Sequence, residues 1–345
     1  MAAVWATGFE FNVGNSAYIN SGFTVTGTID AHDTSVNHQH PDGYGGGIAS
    51  LSCNVNSSLQ SPATLFEVVN TGTMNSSFYA TGSFQAGRVL CEVLDQNLDA
   101  VLAVAAVETA AASKLALLHA GTTFATTGAR VSADSWNRIS AKWTISGSTV
   151  SGSLIINGRT VGANGSVALA TGLTAAGMLW GSPTDNTTHH DHVVIWDEVS
   201  ANADAAYWVQ GLLPNGDDVN GSWSPNPAST DFYARIVDAT DGTSLDATSA
   251  TYGQFNLQNR SNIDADWTSP EVIGCTCWVQ AQGDGSLQDG QPRMSLGGST
   301  ISGLTLSMAS AAPGSIASVF SVTKPGGGSW LSTDLDNLGV GYSVA

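Results

Sequence analysis

Seven histidines include His32, His38 and His40 in one stretch and His189-His190-Asp191-His192 in another. On a strand, residues two apart share a face, so His190 with His192, and His38 with His40, have the spacing of metal ligands. Both groups border stretches rich in Pro, Asp, Thr and Gly, where a polar loop histidine is the simpler reading. No metal is therefore expected, and His190, His192, His38 and His40 are the residues that would hold one. The four cysteines, Cys53, Cys91, Cys275 and Cys277, form no CxxC pair, and Cys275 and Cys277 fall on one face of a strand. They read as buried or half-buried thiols in a reducing compartment.

Carboxylate and nucleophile chemistry finds little support. The six glutamates (Glu10, Glu67, Glu92, Glu108, Glu198 and Glu271) are scattered, and Asp264/Asp266 and Asp334/Asp336 sit in turn-like or helical stretches as solvated or capping acids. There is no G-x-S-x-G, and Gly43-Tyr-Gly-Gly-Gly47 and Gly326-Gly-Gly328 lack the Lys-Ser/Thr and helix of a phosphate loop. Of the ten tryptophans, Trp136, Trp143 and Trp196 fit core-facing strand positions, which makes them packing groups rather than sugar platforms.

Composition says what kind of scaffold must carry these residues. Charged residues are 11% of 345, less than half the roughly 25% of an average soluble chain. Ser (41), Thr (33) and Gly (39) replace them. With only 3 Lys and 6 Glu, long solvent-facing helices are not expected. The net charge of -18, with no cluster of bases, excludes nucleic acid and anionic membrane surfaces as partners. The opening Met1-Ala-Ala-Val-Trp-Ala-Thr-Gly has no basic or apolar leader region, so maturation in the compartment of synthesis is expected. Ala100 to Leu118 is interrupted by Glu108 and Lys114 and is too weakly apolar to span a bilayer.

Strand-like patterning runs through the chain. Phe23–Ile29, Arg138–Ile145 and Thr149–Ile156 are short, rich in β-branched and aromatic residues, and bounded by turn formers. Ser146-Gly-Ser148 predicts a hairpin, and Asn157-Gly158 a tight turn into a third strand. Ala100–Val107 and Lys114–His119 are read as two strands despite their alanine content, because sheet context overrides helix propensity. A boundary near residue 200 divides the chain into domains 1–200 and 201–345. The second carries strands over Glu271–Gln280, Gly303–Met308 and Ile316–Thr323, then one helical turn around Trp330–Leu338 and a last strand, Val340–Val344. The fold class is all-β, two β-sandwiches in series, without exact internal repeats.

Ser135-Trp-Asn-Arg-Ile139, Lys142-Trp143, Leu154-Ile-Ile-Asn-Gly-Arg159 and Asp191-His-Val-Val-Ile-Trp-Asp197 resemble the second half of a concanavalin A-like (LamG-type) jelly roll. The resemblance covers residues 1 to 200 and implies that the final strand of the domain pairs beside the first. The second part resembles the domain that follows such a jelly roll in phage virion structural proteins. It does so through Pro214-Asn-Gly-Asp217, Trp223, Pro325-Gly-Gly-Gly-Ser-Trp330, Asp334-Leu-Asp-Asn-Leu338 and Val340-Gly341.

That likeness implies a non-enzymatic bacteriophage virion protein, assembled in the host cytoplasm and tail-associated (fibre, tip or baseplate). Its partners would be other virion proteins and further copies of itself, as a homo-oligomer with a trimer favoured, and a host-surface glycan. A capsid-decorating cement protein is the alternative. The jelly-roll family also includes retaining β-glucanases, which need two carboxylates about 5 Å apart; their E-x-D-x-E or E-x-D-x-x-E strand is absent. The family often holds Ca²⁺, for which Asp238–Asp241 and Asp185-Asn186 offer oxygens. No complete calcium loop appears, ordinary Asx-turn acids are the simpler reading, and no cofactor is expected.

Overall fold

The computed structural model describes residues 3–7, 9, 18–19, 21–33, 50–160, 164–169, 173–182, 187–199, 209, 212, 214–235, 244–247, 251–257, 271–281, 289–307 and 315–344. These fall into two compact units, the first ending at Val209. Both are built of antiparallel strands, and among the described residues no helix is long and apolar enough to cross a membrane.

The first unit begins with β1 (Ala3–Thr7), β2 (Thr24–Thr26), β3 (Ile29–Asp33), β4 (Ser50–Cys53), β5 (Ser57–Gln60) and β6 (Thr71–Ala80). It continues through β7 (Val89–Leu94), β8 (Ala100–Ala106), β9 (Ala112–Ser113), β10 (Leu115–His119), β11 (Thr122–Thr126) and β12 (Val131–Ser132). β13 (Trp136–Ser146), β14 (Thr149–Ile156), β15 (Arg159–Thr160), β16 (Gly165–Ala168), β17 (Gly177–Ser182) and β18 (Thr188–Trp196) complete it. One sheet runs β15-β14-β13-β6-β18-β4-β3, with β1 also on β18 and β16 on β14; the other runs β11-β10-β8-β7-β17-β5-β2. Ala100–Ala106 and Leu115–His119 are thus strands, paired as β8 and β10.

The two sheets face each other. Cys91 Sγ lies 3.9 Å from Met74 Sδ across the gap, and Trp5 meets Trp180 at 5.7 Å between ring centroids. The last strand, β18, pairs with the first, β1, and so closes the sandwich. Asn157 and Gly158 turn β14 into β15 with φ of 49° and 71°, the positive values that an Asn-Gly pair tolerates.

Phe23–Ile29 is not one strand. β2 joins one sheet and β3 the other, and the chain crosses between them at Gly27, φ 70°. A Cβ there would lie 2.4 Å from Ser57 Oγ, the atom that accepts the Thr28 N–H at 2.8 Å. The residue types are strand formers on both sides of the glycine, so β propensity cannot mark the break; the left-handed backbone does.

The core position of Trp143 depends on strand alternation. Along β13, Asn137, Ile139, Ala141 and Trp143 are buried. The Trp143 indole donates to the Val69 carbonyl at 3.1 Å and fills the space over Gly72, where a Cβ would approach the ring to 2.5 Å. Trp136 is seven residues away, an odd number, so a regular strand turns it to the opposite face. It is half-buried there, beside Tyr79, and not in the core as expected from sequence.

The second unit contains β19 (Pro214–Val219), β20 (Ser224–Asn226), a 3-10 turn (Tyr233–Arg235), β21 (Ser244–Asp246), β22 (Thr251–Leu257) and β23 (Cys275–Ala281). β24 (Asp289–Leu296), β25 (Ser299–Ser302), β26 (Leu306–Ser307), β27 (Ser315–Ser321), a second 3-10 turn (Ser332–Asn337) and β28 (Gly339–Val344) follow. Its main sheet runs β19-β22-β28-β24-β25, with β26 on β24, and the β23–β27 ribbon packs over one face. Cys277 from the ribbon, Met294 from the sheet, Val319, Trp330 and Leu338 are the buried core between them. Of the strand expected over Gly303–Met308, only Leu306–Ser307 pairs, with Met308 outside the described residues; that over Glu271–Gln280 starts at Cys275. The helical turn before the last strand is present as 3-10.

Opposite orientation of the two β13 indoles has a measurable consequence. Trp143→Ala is expected to destabilise the first unit by about 3–5 kcal/mol, and Trp136→Ala by about 1 kcal/mol or less. Chemical denaturation of both variants checks this, and equal losses would contradict the assigned faces.

Candidate functional site

His189, His190, Asp191 and His192 do not lie in a loop. They occupy β18, between β6 and β4, and are all buried (0%, 1%, 0% and 4% exposed). The polar letters mask a central strand whose pairing is set by neighbours far away in sequence. His190 stands opposite Phe78 and Leu51, whose side chains belong to the core. Desolvation pulls its pKa down to about 3, helped by the charges of His189 and the buried Arg88. His189 points the other way and meets the Tyr79 ring at 5.7 Å, edge-on.

His190 and His192 do not share a face as ligands would. Register shifts between Asp191 and Val194, and His192 has φ 48°; such a bulge breaks the two-residue alternation. The His192 backbone N–H donates to Asp191 Oδ1 at 2.6 Å, and its Nδ1 accepts from Val209 N–H at 3.2 Å. Among the described residues no group of three or more His, Cys, Asp or Glu could hold a metal ion. His38, His40, Asp185-Asn186, Asp238–Asp241 and Asp264/Asp266 lie outside the described residues.

All four cysteines are free. Burial pushes the thiols up, those of Cys53, Cys275 and Cys277 to about 12, which keeps them protonated and poorly nucleophilic at neutral pH. The described glutamates are dispersed: Glu92 on β7, Glu108 paired with Arg130, Glu198 just after β18, and exposed Glu67 and Glu271.

The residues with accessible chemistry sit on the outer face of the nine-stranded sheet, at the end where β6 finishes and β13 begins. Tyr79 and Trp136 are cross-strand partners, with ring centroids 5.9 Å apart and planes tilted 58°. Both are half-buried. The Tyr79 hydroxyl donates to the Asp134 carboxylate; burial first, then the Asp134 charge and that hydrogen bond, raise the phenol above its ordinary pKa. Asp134 is itself fixed: it takes φ 55°, its N–H donates to the Ala80 carbonyl at 2.8 Å, and its Oδ1 accepts the Gly82 N–H at 2.8 Å. Arg138 lies on the same face two residues after Trp136, half-buried, with its guanidinium lowered from its usual pKa by desolvation. Its backbone N–H donates to Asn157 Oδ1 at 2.8 Å, which ties β13 to the Asn157-Gly158 turn.

Two aromatic rings, an oriented carboxylate and a guanidinium make a surface that can pack the apolar face of a ring and exchange hydrogen bonds with its hydroxyls. Sequence reasoning missed Tyr79, Asp134 and Arg138 and put Trp136 in the core. The signal available was the odd spacing of the β13 tryptophans, which allows only one of them to face inward.

No family model matches the chain, and no curated protein matches it in sequence. Solved structures similar in fold include domain 4 of AbnA, an extracellular GH43 arabinanase from Geobacillus stearothermophilus in complex with arabinotriose (13% identity, TM-score 0.39, covering 59% of this chain and 96% of that one). The receptor-binding domain of botulinum neurotoxin type G is similar at 9% identity and TM-score 0.37, over 84% of this chain and 77% of that one. Peanut lectin is similar at 9% identity and TM-score 0.33, over 56% and 98%.

Neutral burial of His190 predicts a pH dependence. Its folded pKa of about 3 lies below the unfolded value near 6.5, so the unfolded chain binds the extra proton between them. The contribution is complete above about pH 6.5 and falls, by at most about 1.4 kcal/mol per pH unit, as pH drops toward 3. Glu92, raised by burial, opposes part of this slope. The comparison to make is therefore urea unfolding of wild type and His190→Leu at pH 7 and pH 5: the variant should lose less stability on acidification, and an equal loss would contradict a neutral buried imidazole.

Proposed function

We propose that the protein is a non-enzymatic adhesion protein that binds glycans through the Tyr79–Trp136 face of its first unit. The observation that carries this reading is the cross-strand aromatic pair, half-buried and flanked by Asp134 and Arg138 on a β scaffold. The rings supply non-polar contact, and the rigidly held Asp134 carboxylate, with Arg138 on the same face, selects the hydroxyl pattern. Cleavage would need a second carboxylate across the sugar from Asp134. Of the acids on this sheet, Asp191 is fully buried, its Oδ1 engaged by the His192 backbone, and Asp30 and Asp33 lie on the edge strand β3, three strands from β6.

The setting we infer is a bacteriophage particle assembled in the host cytoplasm, with this chain on the tail as a homo-oligomer, a trimer by resemblance, among other virion proteins. What supports it is the ordered set of motifs from Pro214 to Gly341. Their residues have identifiable structural work: Pro214–Asp217 opens the main sheet, Trp330 and Leu338 fill the core, and Val340-Gly341 lies in the central strand. A few to a few dozen copies per purified particle supports the tail; hundreds would place the chain on the head and overturn that location.

On a glycan array the wild-type protein should bind a defined set of saccharides. Trp136→Ala should weaken the best of them at least tenfold, and Tyr79→Phe, which keeps the ring but releases Asp134, several-fold. Unchanged binding in Trp136→Ala would contradict the site, and new reducing ends from host polysaccharide would contradict the non-enzymatic reading.

A further inference from the structure

Among the described residues, one cation of the second unit, Arg293, makes no ion pair. The unit's main sheet buries Phe255, Met294, Tyr342 and Val344 on one face. The opposite face presents Tyr252 from β22, Ser343 and Gly341 from β28, and Gln291, Arg293 and Ser295 from β24. Register puts Arg293 opposite Gly341 and Gln291 opposite Ser343, while Ser343 pairs on its other side with Tyr252. Gly341 has no side chain, and the place a Cβ would take there is filled by the Gly253 carbonyl and the Gln254 Cα of β22.

The Arg293 guanidinium carbon lies 4.2 Å from the centroid of the Tyr252 ring, which is 40% exposed. Its Nη2 donates to Ser295 Oγ at 3.3 Å and Thr300 Oγ1 at 3.1 Å. Nη2 is therefore anchored by neutral hydroxyls and the π-face orients the plane. Among the described residues no carboxylate pairs with Arg293, and the Nη1 edge makes no hydrogen bond. Asp289 is exposed on the same face of β24, four residues or roughly 13 Å back at about 3.3 Å per residue, and Asp218, held by Gln254, stands three strands away, roughly 14 Å at about 4.8 Å per strand. In a chain with 28 acids and 10 bases, an oriented arginine paired only with neutral groups is set up to receive an anion from outside.

We infer that this face binds a carboxylate-bearing saccharide, with the carboxylate on the Arg293 guanidinium and the sugar ring against Tyr252. Hydroxyls and amides surround the cation: Thr300, Ser295, and Gln291, which donates to Thr305 at 2.7 Å. These groups both donate and accept, as sugar hydroxyls require. A phosphate group or an acidic peptide would call for several clustered cations or an apolar side-chain pocket, and the face offers one guanidinium and one ring.

This site is separate from the Tyr79–Trp136 face, so the two can fail independently. The test titrates the full-length protein with oligogalacturonate, with polysialic acid, and with each after reduction of its carboxyl groups to alcohols, at 50 and 300 mM salt. At least one acidic saccharide should bind, weakening with salt. Its reduced form should bind at least tenfold more weakly; Arg293→Gln should lose tenfold or more, Arg293→Lys should recover part of that, and Trp136→Ala should leave it unchanged. Thermal midpoints matching wild type establish that the variants are folded. Equal binding of the reduced saccharide, equal binding by Arg293→Gln, or no binding of either acid would overturn the inference. Loss in Trp136→Ala alone would assign the acid to the first unit and overturn it equally.

Discussion

Period-two alternation across a closed pair of sheets is the constraint on which this molecule rests. A strand caught between two neighbours can turn only every second side chain inward, so a polar or aromatic residue of the wrong parity is driven to the outer face whatever its hydrophobicity. β13 obeys this over its whole length. Trp143 is committed to the core, where its indole N–H finds the Val69 carbonyl and its ring needs Gly72. Trp136 is thereby committed to the outside, opposite Tyr79. The candidate binding face is the complement of the core.

β18 shows what happens when that constraint meets polar residues. Its His-His-Asp-His run is buried because β18 must pair with β6, β4 and β1 at the centre of the sheet. The cost is met by keeping His190 neutral, by a bulge that spends Asp191 on the backbone, and by returning the chain so that Val209 caps His192. The surface follows a related economy of charge. With few Lys and Glu, serine and threonine hydroxyls carry the exposed faces, and the Arg293 guanidinium sits beside an aromatic ring and two hydroxyls. In both units an arginine and a tyrosine therefore share an outer sheet face, on unrelated strands.

Much of the architecture is legible in the chain. Asn157-Gly158 announces its turn through the positive φ it must adopt, and the alanine-rich Ala100–His119 segment is readable as two strands from its length and its interruption at Glu108–Ser113. Local pattern fails where long-range pairing decides. Gly27 breaks an unbroken β-former run because two sheets must be fed from it, and the Thr, Pro and Asp neighbours of the histidines suggest a loop while the partners Phe78 and Leu51, more than a hundred residues away, make a strand. Half of the candidate site was within reach, since the separation of Trp136 and Trp143 is odd. The other half was not: Tyr79 and Asp134 meet only through the β6–β13 register, which no short motif encodes.

The most direct test is an NMR titration of the indole N–H resonances of the tryptophans with the strongest-binding glycan found for the protein. The account predicts that the Trp136 signal shifts saturably while those of the buried Trp143, Trp180 and Trp196 stay in place. A saturating shift that leaves Trp136 unmoved would contradict it.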